Sequence, residues 1–338
     1  MFVVPQIDLR SIQYEGGDVQ RFLETYKDAI DKVVSYKFLR FPYHLLGDYK
    51  VLKGGFNPEF PRLGNLTNDI TIDSNNRTGG MEFPVRVSLS GGPNGSPLTS
   101  QKQDFMALHR YPSVWEAIRK LWFYLDMNLQ DNYDPNEITD PSYIPIISKV
   151  MGIQDRSCKT RVVALLDSYS QIALRPFHMM MDEVLRKIPK DFTFNHFGGV
   201  EYLCNRDYDM VSVDISSATD TIPFSLSLFI LRSLLRKCRK SDLSDSDYDC
   251  IIDSIKTVMT ERPFHNGRDP VFYKTGQPMG AYSSFPLLAL TNHFLVRLAS
   301  YLEKRPRIPY AVVGDDIVIC DYQVADRYMS LLNELKIP

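Results

Sequence analysis

The chain has 338 residues, with 39 Lys plus Arg against 41 Asp plus Glu and a formal charge of −2. That balance excludes a histone-like coat protein, and a 44% hydrophobic share excludes a wholly disordered chain. Five cysteines form no CxxC pair and six histidines no HExxH motif, so neither a disulfide framework nor a zinc site is expected. Met1–Pro5 carries no basic segment followed by a sustained apolar run, so neither a secretory signal nor a transit peptide is expected there. No apolar run approaches the 18 residues of a membrane span.

Helical periodicity runs from Val19 to Leu39, with Phe22, Tyr26, Ile30 and Val34 on one face. Gly47–Gly80 reads as loops. Gly91-Gly92-Pro93-Asn94-Gly95-Ser96 is a strong turn signal, and Leu98–Leu129 then reads as one helix with a buried stripe of Trp115, Ile118, Trp122 and Leu125. Asn132–Ser142 is an acidic loop. Arg161–Leu166 reads as a strand, and Ser168–Ile188 as a helix kinked or restarted at Pro176. Tyr208–Asp214 is a second strand and Phe224–Lys240 a helix with a basic end. Ser241–Asp249 reads as an exposed Ser/Asp-rich stretch. Phe285–Tyr301 is a long helix, and Tyr310–Ile319 forms two short strands joined at Gly314-Asp315-Asp316. The alternation of strands and helices predicts an α/β or α+β chain with a helix-backed sheet in the C-terminal half.

Four segments carry chemistry. Gly314-Asp315-Asp316 puts two carboxylates at a hairpin apex between β-branched runs; the plain alternative is an exposed acidic turn. Asp214 closes an apolar strand and Asp220 follows six residues later; the plain reading of Asp220 is a helix N-cap. Together these acids suit a two-metal phosphoryl-transfer site with Mg²⁺ or Mn²⁺, hard cations held by a few carboxylates plus substrate oxygens. Gly276-Gln277-Pro278-Met279-Gly280 makes a loop that nucleic acid can approach, and Ser283 and Ser284 either cap the following helix or bond a sugar. Arg156, Lys159 and Arg161 form a basic strand edge that either grips phosphate or is merely solvated.

In this order the four segments resemble motifs F, A, B and C of viral RNA-directed RNA polymerases, in particular those of the mitovirus and narnavirus group. The resemblance spans about residues 91–335. It implies an α+β right-hand fold: 1–90 an N-terminal extension with fingers elements, 91–207 fingers with the motif that meets the nucleotide, and 208–338 a palm with motifs A, B, C and the start of D. It implies that Asp214, Asp315 and Asp316 hold Mg²⁺ or Mn²⁺, with Asp316 assisting. Lys159, Arg161, Asp220, Ser283 and Ser284 would bind the nucleotide, and Arg156, Gly276, Gln277 and Gly280 would bind RNA. Many plus-strand RNA polymerases pair a helix Asn with the second acid of motif A. Here Asn292 lies about two turns beyond Ser284, and its spacing leaves that role open. Such polymerases continue into a motif D Lys and a thumb, and the expectation is that the chain stops short of both. The implied partners are an RNA template and product strand, ribonucleoside triphosphates and a separate chain that supplies the thumb. Mitovirus membership implies the host mitochondrion, and narnavirus membership the host cytoplasm. Two alternatives stand beside this reading. One is a decayed, non-catalytic RNA-binding relative. The other is a reverse transcriptase, against which Gly314 argues, since those enzymes usually carry an aromatic-x-Asp-Asp turn.

Overall fold

Two small antiparallel sheets, backed by helices, organise an α+β chain. The computed structural model describes residues 8–34, 91–96, 100–124, 144–154, 159–204, 209–237, 244–267 and 269–338. The expected loops at Gly47–Gly80 and Asn132–Ser142, as well as Arg156 and Leu125, lie outside these residues.

Strand β1 (Ser148–Gln154) pairs with β2 (Thr160–Leu166), from Ser148 opposite Leu166 to Gln154 opposite Thr160. The expected strand at 161–166 is thus present; its partner was missed, because Lys149, Gly152 and Gln154 break the apolar pattern of β1. The second sheet has the order β3-β5-β4, built from Val211–Val213, Asp316–Ile319 and Tyr310–Val313. Within the described residues 209–214 of the predicted second strand, β3 covers only Val211–Val213, and the hairpin at 310–319 is as expected.

The Ser284–Leu302 helix is buried on nearly every side, as expected of a helix surrounded by protein. It packs against β4 and against the helices Lys27–Val33, Ser168–Lys187, Phe224–Lys237 and Tyr322–Glu334. Its burial of Leu287, Leu290, Phe294, Leu295 and Leu298 stabilises the fold by about 1.5–3 kcal/mol per side chain. This central rod backs the second sheet through β4 and touches the Ser168–Lys187 helix, which follows β2 in the chain.

Several predicted helices differ in extent. Of the 19–39 segment the described part, 19–34, holds two helices, Val19–Thr25 and Lys27–Val33, broken at Tyr26 (φ −105°, ψ 16°). Of the 98–129 segment the described part, 100–124, also holds two, Gln101–His109 and Pro112–Tyr124, the second starting on the proline, which is favoured at a first helical position because its missing N–H costs nothing there. Ile118 and Trp122 of its stripe are buried. Ser168–Lys187 is one helix that Pro176 does not end. The Phe224 helix is described to Lys237. In its described part the Ser/Asp-rich stretch is exposed as expected at Ser244, Asp245, Ser246 and Asp249, and it opens a 15-residue helix, Asp245–Met259. Its Ser and Asp residues are a cap: Ser244 and Asp247 satisfy each other's backbone N–H groups in a capping box.

One buried ion pair ties the first sheet to its helix. Arg262 and Asp167 are wholly buried, with Nη2 2.5 Å from Oδ2. The guanidinium also donates to Ser148 Oγ (3.1 Å), Ser170 Oγ (2.7 Å), and the carbonyls of Ile147 (2.5 Å) and Val258 (3.1 Å). Asp167 meanwhile caps the helix through Ser170 N at 2.8 Å. The pair therefore fixes β1 and the start of the Ser168 helix in one frame.

Candidate active site

The register of the second sheet gathers three acids. Val213 pairs with Ile317 and Val313 with Asp316, so one further step along β3 puts Asp214 beside Asp316. Gly314 turns the hairpin with φ +64°, and a Cβ there would lie 2.6 Å from the Phe285 ring; only glycine meets both demands. Asp214 and Asp316 are exposed and Asp315 half-buried. Burial above all, with the like charges of Asp316 and Asp214, pushes the Asp315 carboxyl above its ordinary value, while a hydrogen bond from its own backbone N–H and the charge of Arg161 oppose them.

The turn is held from behind. Asn292 Nδ2 donates to the carbonyls of Gly314 (3.1 Å) and Asp315 (3.2 Å), and its Oδ1 accepts from Tyr328 at 2.5 Å. Asn292 thus serves the acidic turn rather than Asp220.

Asp220 is buried inside a one-turn helix, Ala218–Thr221, whose N-cap is Ser217 in the left-handed region (φ 49°). It is therefore not the cap that the sequence allowed. Burial raises its pKa, and a hydrogen bond from Ser11 lowers it. That bond, Ser11 Oγ to Asp220 Oδ2, is 2.6 Å long and spans 209 residues of sequence. The 274–277 loop packs on the other side: Gln277 N donates to Thr219 O at 2.8 Å, and Phe224 N to Thr275 O at 2.8 Å. A Cβ on Gly276 would meet Thr219 O at 2.2 Å and Asp220 Cα at 2.5 Å. Glycine at 276 thus serves loop-on-loop packing.

A cavity of about 1340 Å³ opens over these groups. Asp214, Asp220, Asp315 and Asp316 line it, with Lys159, Arg161, Gly280 and Ser284. Gly276, Gln277 and Ser283 do not. Gln277 is buried, with Nε2 donating to Ser284 O at 3.0 Å. Ser283 is buried at φ +77°; its hydroxyl donates to Leu174 O at 3.1 Å, and its N–H to His178 Nδ1 at 3.1 Å. Ser283 makes no side-chain cap bond to the helix. Ser284 Oγ is buried and makes no hydrogen bond among the described residues. Of the two serines only Ser284 reaches the cavity.

Further lining comes from Asp8, Ser11, Gln171 and His178. Gln171 Nε2 donates to Gly280 O at 2.9 Å and its Oε1 accepts from Tyr282 N at 2.9 Å, locking the glycine loop onto the Ser168 helix. Gln171 sits near the start of the Ser168–Lys187 helix, which the sequence does predict. Ser11 was not legible, because nothing local relates a serine at position 11 to an acid at 220.

Among the described residues no three His, Cys, Asp or Glu side chains converge into a preformed metal cage. The donors that line the cavity are carboxylates, and the mutual repulsion registered at Asp315 is what a hard divalent cation relieves. Such ions commonly take one or two carboxylates and complete their shell with water and phosphate, so the donor set fits Mg²⁺ or Mn²⁺.

Comparison with known proteins gives the family. A family described as mitovirus RNA-dependent RNA polymerase matches residues 82–338. The RNA-directed RNA polymerase of Cryphonectria parasitica mitovirus 1 is 30% identical over 198 residues, 57% of this chain and 23% of that protein. Two uncharacterized mitochondrial proteins of Arabidopsis thaliana also match. AtMg01110 is 36% identical over 46% of this chain and 61% of its own length. AtMg01410 is 34% identical over 44% and 72%. The chain thus spans under a quarter of the viral polymerase it resembles.

Proposed function

The chain belongs to the mitovirus RNA-dependent RNA polymerase family, and on that premise we propose that its cavity carries out RNA-templated nucleotidyl transfer. The single observation that most supports this is the β3-β5-β4 register, which aligns Asp214, Asp315 and Asp316 at one sheet end facing a cavity walled by Lys159 and Arg161.

In this reading the second sheet and the Ser284–Leu302 helix are the palm, and the β1-β2 hairpin belongs to the fingers. Asp214, Asp315 and Asp316 hold two Mg²⁺ or Mn²⁺ ions, which when bound neutralise phosphate charge and make the attacking hydroxyl more acidic. Lys159 and Arg161 bind the triphosphate, where cations offset its negative charge. Asp220 accepts a hydrogen bond from the ribose 2′-hydroxyl, with Ser284 beside it. Gly280 and its loop meet the RNA, while Gly276, Gln277 and Ser283 act indirectly by bracing that loop and Asp220. The 3′-hydroxyl of the growing strand attacks the α-phosphorus. A new P–O bond forms, the bond to the β-phosphate oxygen breaks, and pyrophosphate leaves. The residues contribute mainly by holding this geometry and matching its charge. The partners are an RNA template and product strand and ribonucleoside triphosphates. The place of action is the host mitochondrion, a reading supported by the mitochondrial relatives.

The test is Mg²⁺-dependent primer extension on an RNA template with the chain and with its Asp315→Ala/Asp316→Ala variant. Loss of incorporation in the variant is expected, and undiminished incorporation sinks the site assignment. A native chain that binds RNA yet extends nothing favours a non-catalytic RNA-binding relative.

A further inference from the structure

We propose that Ser11 is a positioning residue of the nucleotide site: its hydroxyl fixes the Asp220 carboxylate in the orientation that recognises the sugar of the incoming nucleotide. This deepens the reading above and rests on it. Ser11 lies outside the residues that match the polymerase family, 82–338, yet it lines the same cavity as Asp220, Asp214 and Asp315.

The torsion that turns a carboxylate about its terminal bond is broad and weakly preferred. An Asp that must present one oxygen to a ligand therefore needs a partner on the other. Ser11 Oγ donates to Asp220 Oδ2 at 2.6 Å, leaving Oδ1 to accept from a substrate hydroxyl. Asn292, whose role the sequence leaves open, is engaged with Gly314, Asp315 and Tyr328 instead.

Ser11 is also not a loose arm. Ile12 is fully buried, and its carbonyl accepts from Lys274 N at 3.2 Å. Thr275 Oγ1 donates to Tyr14 O at 2.6 Å and accepts from Gly16 N at 2.7 Å. Gly17 N donates to Leu335 O at 2.8 Å. The 274–277 loop that braces the backbone around Asp220 thus also anchors the segment that holds its side chain. A site built to bond a substrate hydroxyl discriminates strongly against the analogue that lacks it, so the orientation of Asp220 translates into sugar selectivity.

The experiment compares ATP with dATP in Mg²⁺-dependent primer extension by the native chain and by Ser11→Ala and Ser11→Thr. Loss of one hydrogen bond to a charged group lowers the ribo-over-deoxy ratio of kcat/KM by about tenfold in Ser11→Ala. Ser11→Thr, which keeps the hydroxyl, restores it. A general structural defect lowers both nucleotides together and leaves the ratio unmoved. An unchanged ratio in Ser11→Ala overturns the proposal while the polymerase reading stands. If the native chain extends nothing, equilibrium dialysis of labelled ATP and dATP with Mn²⁺ decides. Ribose-selective binding that Ser11→Ala loses supports the proposal and overturns only the polymerase reading. Equal binding of the two nucleotides by the native chain, or binding of neither, overturns both.

Discussion

Replacing Asn292 by Leu keeps the side chain's approximate bulk and removes every polar contact it makes. The carbonyls of Gly314 and Asp315 lose their shared donor at 3.1 and 3.2 Å, and Tyr328, wholly buried, loses the acceptor of its hydroxyl. A stranded buried hydroxyl costs about 1–3 kcal/mol, and two under-satisfied carbonyls on the order of 1 kcal/mol more. Asn292→Leu is therefore expected to destabilise the chain by roughly 2–4 kcal/mol. The measurement is urea denaturation followed by tryptophan fluorescence, reading the midpoint at unchanged slope. Tyr328→Phe sharpens the test. In the Asn292→Leu background it removes a hydroxyl that already lacks its partner, so it costs about 1 kcal/mol less than in the native chain. Losses that simply add, or a loss below about 0.5 kcal/mol in Asn292→Leu, would refute the view that this amide holds the acidic turn. If the view is right, the variant also needs more Mg²⁺ for half-maximal primer extension, because the two Asp side chains are no longer held in place.

Two further outcomes concern the frame around the site. Arg262→Met strands the buried Asp167 carboxylate and is expected to cost about 3–5 kcal/mol by urea denaturation; adding Asp167→Asn recovers part of that, and a single variant of native stability would show that the pair is dispensable. Asp104 is buried, and burial followed by the nearby Asp167 charge raises its pKa to about 6, against the hydrogen bonds it accepts from Asn94 and Ser168. Its folded-state value lies above the unfolded one. The contribution is therefore fully present below about pH 4 and lost as pH rises through 6, on the order of 2–3 kcal/mol in all. Urea midpoints measured from pH 4 to 7, native minus Asp104→Asn, should fall with pH, and a flat or rising difference contradicts the assignment.

The parts of this molecule that sequence reveals are those whose signal is local. Val312 and Val313 before Gly314, and Ile317 to Ile319 after Asp316, announce a hairpin with acids at its tip, and the register confirms the placement. The 160–166 strand is legible from Val162, Val163, Leu165 and Leu166, but its partner is not, because Lys149 and Gly152 pair through backbone bonds that any side chain permits. The Asp245–Met259 helix is lost for a different reason: Ser244, Asp245 and Asp247 have the composition of a loop and the spacing of a cap. For Asn292 the helix is readable, but the face it turns to Gly314 depends on where the hairpin docks. Ser283 follows the same logic, since its neighbour Leu174 lies 109 residues away. The long-range pairs, Ser11 with Asp220 above all, leave no trace in any window of sequence.

The distance along the chain between Ser11 and Asp220 has a consequence in time. A ribosome adding about 5–20 residues per second needs roughly 10–40 s to make the 209 residues between hydroxyl and carboxylate. Thr275, which anchors Tyr14 and Gly16, is made later still. Throughout synthesis Ile12, fully buried in the finished protein, waits as exposed apolar surface without its docking partners. Closure of such long loops is slow because entropy is lost before contacts form. The N-terminal segment therefore docks late, and assembly of the Ser11–Asp220 side of the cavity becomes one of the last steps of folding.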